Sequence, residues 1–272
     1  MDESTRLQVL ADIEKYERLG QFDKHVDPVD MSIALPVDEN FQYIPRGILK
    51  LKYFFERTFY VKPFIKKANR DMLCTEVFGR ENLDGIDSAI ITCNHVNKFD
   101  CLAVQYAARG HRVYTIGAKF NNMKGFMGEM MRAGGLLPLS DNMTAMRNFN
   151  KAVSHYLKKG NYVVCYPEQA MWWNYEKPRP FKDGAFSLAA INNVPVIPMF
   201  ITFRPSGKFD ENGIEIKYFS IHVMKPIYPD PELPRRKNVD MMRDKNYQAC
   251  REKYEEIYQR KLEFSTVNEE VN

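Results

Sequence analysis

Residues 94–100 read NHVNKFD, a histidine five positions ahead of an aspartate, directly after the apolar run SAIIT. A neutral histidine ring can take a proton from a hydroxyl, and a carboxylate on its other nitrogen fixes the tautomer and stabilises the imidazolium that forms. His95 and Asp100 are therefore a candidate general base and its orienting partner. The spacing alone decides little. Five histidines and sixteen aspartates in 272 residues give roughly 0.3 such pairs by chance, and HVDPVD holds a second, His25 and Asp30.

Context separates the two pairs. His25 lies in a polar, proline-containing stretch with no strand before it, whereas His95 follows the strand-like AIITC and Asp100 opens the helical CLAVQYAAR. Ligands of open α/β sheets gather outside the carboxyl ends of the strands, where His95 would stand. The alternative reading is structural, with Asn94 and His95 satisfying turn hydrogen bonds and Asp100 complementing a helix dipole.

The elements that must position this pair follow from the apolar runs. AIITC, VYTIGA, GLLPL, YVVCY and VPVIPMFITF alternate with helical segments such as FNKAVSHYLKKG and GAFSLAAINN. That order predicts an α/β fold with a mixed, mainly parallel central sheet flanked by helices. IEIKYFSIHVMKPI (214–227) alternates polar and apolar residues and reads as an edge pair. Residues 1–40 read as an N-terminal extension outside the core, 71–228 as the main domain, and 229–272 as a charged C-terminal helix packed on it.

Between these lies 41–70, an N-terminal amphipathic helical segment with Ile48, Leu51, Phe55 and Phe59 at helical spacing. It carries eight Lys and Arg residues against Glu56, a local charge of +7 in a chain of +4. A helix with aromatic residues on one face and cations on the other can lie in an anionic leaflet. No nucleic-acid recognition motif accompanies it, so membrane lipids are the expected partner and nucleic acid is not. The alternative is a packed helix with a solvated basic face.

Five scattered cysteines without a C-x-x-C pair suggest neither disulfides nor a metal site. The first residues lack a basic start and apolar stretch, and no run approaches the ~20 apolar residues of a spanning helix. The expected location is cytoplasmic, peripheral on the inner face of the membrane.

Three further stretches accompany the histidine motif in order. GLLPLSD (135–141), YPEQAM (166–171) and VPVIP (194–198), the last preceded by FKDGA (181–185), follow NHVNKFD. Together they resemble the four motifs of the glycerolipid acyltransferases, which include the bacterial lysophosphatidate acyltransferases. The resemblance covers about residues 45–225. It implies His95 as the base that activates an acceptor hydroxyl for attack on an acyl thioester, with Asp100 orienting it. It also implies Glu168, Gln169, Lys182 and Gly135 in acceptor binding, and Trp172, Trp173 and Pro195 around an acyl pocket. No metal or other cofactor is implied; the donor would be acyl-CoA or an acylated carrier protein. The methionine-rich MKGFMGEMM (123–131) offers a pliable surface for an acyl chain or ordinary helix packing.

The departures bear on the acceptor. Asp141 stands where the second motif has its arginine, and Gln169, Ala170 and Met171 replace the Gly, Thr and Arg of the third. Guanidinium groups suit a phosphate fork. Lys177, Arg179 and Lys182 are candidate replacements; the alternative is that they are solvated loop cations. The expected acceptor is a glycerol phosphate or lysophospholipid, with a glycolipid or other uncharged hydroxyl as the second reading. A non-catalytic lipid-binding protein on the same fold is a third.

Overall fold

In the computed structural model, which describes residues 3–266, fifteen α and β elements follow one another. They are α1 (Glu3–Arg18), α2 (Gly47–Glu56), α3 (Lys62–Lys67), β1 (Glu76–Phe78), β2 (Ala89–Thr92), α4 (Asp100–Ala107), β3 (Val113–Gly117), α5 (Gly125–Gly134), β4 (Leu136–Pro138), α6 (Met143–Lys158), β5 (Tyr162–Cys165), α7 (Gly184–Asn192), β6 (Val196–Phe209), β7 (Glu215–Val223) and α8 (Arg235–Tyr258). The strands form one sheet in the order β1-β7-β6-β2-β5-β3-β4. β6, β2, β5, β3 and β4 are parallel, and the sheet reverses only between β6 and β7.

Central strands buried on both faces need apolar residues at consecutive positions, and β2 and β5 supply them. Ile91 and Val164 pack with Ala103, Val104 and Ala107 of α4. Ile90 and Val163 face the other way, onto Phe149 and Val153 of α6, Phe186 of α7 and Met242 of α8. Helix α6 starts at Asn142, whose side chain accepts the amides of Thr144 and Ala145 and so satisfies two of the free donors of its first turn.

The segment expected as an edge pair is not at the edge. β7 is covered by β1, which pairs with it in parallel from Glu76↔Ser220 to Phe78↔His222; three residues were too short a run to read as a strand. The N-terminal segment is also more than an extension. Val9 and Ile13 of α1 and Val26 beyond it are buried against Trp172 and Tyr175. The buried stripe includes Glu17, which accepts hydrogen bonds from Tyr175 Oη, Lys177 Nζ and the Ser265 amide. Residues 1–2 and 267–272 of the expected terminal segments lie outside the described residues.

Residues 41–46 precede the basic helix and anchor it. Tyr43 is buried, donating to the Pro138 carbonyl at 2.8 Å while its own carbonyl accepts Tyr156 Oη at 2.7 Å. The helix then runs unbroken through α2 and α3, with π-helical turns at Arg57–Val61 and Ala68–Met72. Pro63 sits just past the first of these, and a widened turn is where a helix accommodates the missing amide. Among the described residues no helix is long and apolar enough to cross a membrane.

One buried titratable group predicts the acid behaviour of the fold. His222 of β7 is buried, bonded through Nε2 to Thr202 Oγ1 at 2.9 Å and stacked on Phe78. Burial, with the charge of Lys253 next, pulls its pKa from 6.5 to about 4. The unfolded chain therefore binds this proton first as pH falls. Its contribution to stability is complete above the ordinary value and is lost on the way down to about 4, a total of about 3 kcal/mol. Urea unfolding between pH 7 and 4 should show His222→Gln losing less stability than wild type; equal losses would refute the assignment.

Candidate active site

The turn between β2 and α4 brings the candidate pair together. His95 Nδ1 lies 2.6 Å from Asp100 Oδ2, and the same oxygen accepts the amides of Val96 at 3.2 Å and Asn97 at 3.4 Å. Asp100 is buried at the start of α4. With Nδ1–H donated to a carboxylate, Nε2 keeps its lone pair for a proton. The His95 ring is about one quarter exposed and stacks on Tyr166 at 4.2 Å between centroids.

Asn94 fixes the start of the turn. Its amide donates to the Ile201 carbonyl at 2.9 Å and accepts the Ile201 amide at 2.8 Å, acting as a ladder partner for β6 where β2 ends. Its role is the structural one, whereas the His95 side chain bonds to Asp100 across the turn and keeps its ring partly open.

Glu168 and Arg179 hold the turn from beneath, both fully buried. Glu168 Oε2 accepts the His95 amide at 3.1 Å and Arg179 Nη2 at 2.7 Å, while Oε1 accepts the Arg179 amide at 2.9 Å. The guanidinium also donates to the carbonyls of Phe22, His95 and Ala170, and it lies over the Trp172 ring. Trp172 and Asn174 add amide bonds to the carbonyls of His95 and Val96. The loop after β5 and the histidine turn are thus one interlocked unit.

The other expected residues take different places. Glu168 faces Arg179, not a cleft. Gln169 is exposed in a left-handed turn with φ 68°, and Lys182 is paired with Asp23 at 2.9 Å. Gly135 caps α5 at φ 109°, where a Cβ would come within 3.1 Å of the Val113 carbonyl, so its role there is steric. Trp172 is wholly buried, and Pro195 lies at the amino end of β6, away from His95; neither meets an acyl groove. Asp141 pairs with Lys119.

Arg179 was legible only as a loop cation, because nothing in a single sequence signals its burial. Tyr166 was missed as the stacking partner of His95, although its place next to Pro167 and Glu168 at the end of β5 is the signal that could have found it. Burial, then the charge of Asp100, pushes the Cys101 thiol up to about 12, so it stays protonated.

Two hollows flank the turn. A cleft of about 490 Å³ is lined by Asn97, Lys98, Phe99, Trp173, Met171 and residues of β7. An apolar groove of about 370 Å³ lies on the other side, lined by Phe59 and Phe64 of the basic helix, Cys101 and Leu102 of α4, and Met127 and Met130 of α5. The methionine-rich segment therefore walls a groove rather than filling a core.

Residues 74–202 match the Acyltransferase family. The 1-acyl-sn-glycerol-3-phosphate acyltransferase BAT2, chloroplastic, of Brassica napus is 28% identical over 160 residues, 57% of this chain and 45% of the relative, so the matched region spans less than half of that protein. The crystal structure of the 1-acyl-sn-glycerophosphate (LPA) acyltransferase PlsC from Thermotoga maritima shares the fold, with a TM-score of 0.55 and 18% identity over 82% of this chain and 87% of that one. The match covers both β2 with its His-Asp turn and β5 with the buried Glu168, so the segment at residues 74–202, a little under half of the chain, is similar to the acyltransferases.

Proposed function

We propose that this chain is an O-acyltransferase that moves a fatty acyl group from acyl-CoA or an acylated carrier protein to a lipid hydroxyl. The observation that carries the reading is the 2.6 Å contact between His95 Nδ1 and buried Asp100, with the ring partly open to solvent. Nε2 takes the hydroxyl proton as the oxygen attacks the thioester carbonyl; the new ester forms, the carbon–sulfur bond breaks, and the proton passes to the leaving thiolate. Asp100 balances the imidazolium in between. The apolar groove beside Cys101 suits the acyl chain.

The relatives' names favour a glycerol-phosphate type of acceptor. A second reading, an uncharged hydroxyl acceptor, gains from the fate of the three candidate cations. Lys177 pairs with Glu17 at 2.6 Å, Arg179 with Glu168 at 2.7 Å and Lys182 with Asp23 at 2.9 Å. Each is held by a carboxylate of this chain, which weighs against its replacing a phosphate-binding arginine. Purified protein incubated with labelled acyl-CoA and a panel of lysophospholipid, monoacylglycerol and glycolipid acceptors, beside His95→Ala, tests both readings. Labelling of no acceptor by wild type would leave the lipid-binding alternative in its place.

Membrane contact through the basic helix rests on its exposed apolar side chains. Ile48 is 87% exposed, Phe54 62% and Phe59 64%. Each such side chain contributes about 1.5–3 kcal/mol when buried. Replacing all three by serine should weaken sedimentation with anionic liposomes by more than ~100-fold, and salt should weaken the wild type. Unchanged binding in the triple variant would rule out this face as the anchor.

A further inference from the structure

Glu168, Trp172, Arg179 and Asp100 hold His95 at its backbone and at one ring nitrogen. Glu168 accepts its amide, Trp172 and Arg179 donate to its carbonyl, and Asp100 binds Nδ1. They leave the plane of the ring unset. The torsion of an imidazole about its Cβ–Cγ bond is broad, and small coupled rotations of the side chain that keep Nδ1 on its carboxylate still carry Nε2, across the ring, off its line to a hydroxyl. Misalignment of a reacting group costs rate.

Tyr166 supplies the missing restraint. Its ring lies on the imidazole with centroids 4.2 Å apart and planes inclined by only 20°, so one face of His95 is covered. The part of the ring that stays exposed, about one quarter, is what a substrate can meet.

The tyrosine is itself held. It follows Cys165, which pairs with Thr92 of β2, and so leaves the sheet beside the strand that leads into the histidine turn. Pro167 disfavours a helical backbone at Tyr166, the Tyr166 carbonyl accepts the Gln169 amide at 3.1 Å, and its ring packs against the core shared by β2, β5 and α4. One loop therefore grips the backbone of His95 through Glu168 and its ring through Tyr166.

The hydroxyl is not the grip. Tyr166 Oη is buried and makes no hydrogen bond among the described residues. Burial, then the charge of Asp100, raises the phenol well above its ordinary value, so it stays neutral. What His95 meets is the face of an uncharged aromatic ring. Such a face carries negative partial charge and suits the imidazolium that forms when Nε2 takes a proton.

We propose that Tyr166 is a positioning residue for the base: its ring fixes the plane of the His95 imidazole, aims Nε2 at the acceptor hydroxyl and stabilises the imidazolium, while its hydroxyl is dispensable. The assignment rests on the acyltransferase reading and adds a residue to the machinery within it.

The test compares wild type, Tyr166→Phe, Tyr166→Leu, Tyr166→Met and His95→Ala by label transfer from acyl-CoA to the acceptor that wild type labels best, with circular dichroism giving the folded fraction of each. Tyr166→Phe, which keeps the ring, should hold kcat within about twofold of wild type. Tyr166→Leu should lower kcat per folded molecule by about tenfold and leave KM for the acceptor within about twofold, because the lost ring acts on the base and not on substrate. Tyr166→Met, a flexible filler without a ring, should behave as the Leu variant does and carries the comparison if that one fails to fold. Wild-type kcat in the Leu or Met variant, a rise in KM that accounts for their loss, or a Phe variant as impaired as they are overturns the role of Tyr166 while leaving the enzyme an acyltransferase. A wild type that acylates nothing, or a His95→Ala that matches it, overturns the acyltransferase reading instead, and the role of Tyr166 with it.

Discussion

His95→Ala is expected to lower kcat for acyl transfer by about 10²–10⁴-fold, the range that a positioned general base contributes. KM for the acceptor should change little, because the ring supplies a proton site rather than a binding surface. The turn itself should survive: the His95 amide and carbonyl, which the side-chain change leaves in place, are bound by Glu168 and by Trp172 and Arg179. Asp100→Asn tests the orienting half. The neutral amide no longer balances an imidazolium, and three donors converge on the oxygen it replaces, so kcat should again fall without a matching rise in KM. Normal rates in His95→Ala, measured by label transfer, would remove His95 from the chemistry.

Breaking the buried pair should show first in stability. Arg179→Met leaves Glu168 fully buried without its guanidinium, frees the carbonyls of Phe22 and Ala170, and leaves that of His95 with the Trp172 amide alone. Removing one partner of a buried pair costs about 3–5 kcal/mol. Urea unfolding should register that loss, and the double variant Arg179→Met with Glu168→Gln should recover part of it, since no charge is then stranded. A single variant within about 1 kcal/mol of wild type would mean that the pair is open to solvent. Activity should drop in the same variants, because the His95 backbone loses its support.

The layered fold was legible because its signals are local. Unbroken apolar runs such as AIIT and YVVC can be satisfied only in strands covered on both faces, and the helical patterns between them leave a parallel sheet as the simplest arrangement. The His95–Asp100 pair was legible for a related reason: its two side chains meet across five residues of one strand-to-helix turn. What escaped depends on distance in sequence. The partner of Arg179 is eleven residues away and its further contacts are at Phe22 and His95, so its burial is a property of the assembled fold. The packing of residues 22–26 on Trp172 was not legible either, since no periodicity ties that stretch to residues 168–179. β1 was too short to stand out from the loop around it.

The clasp between the chain's two flanking segments has a consequence for engineering the protein. Glu17 takes the Ser265 amide, Phe22 packs against Phe264 in a tilted pair with ring centroids 4.6 Å apart, and the Phe22 carbonyl accepts Arg179 of the loop after β5. A fragment trimmed to the homologous region would strip the cover from Trp172 and the carbonyl that Arg179 holds at Phe22. The smallest autonomous unit is therefore wider than the shared one.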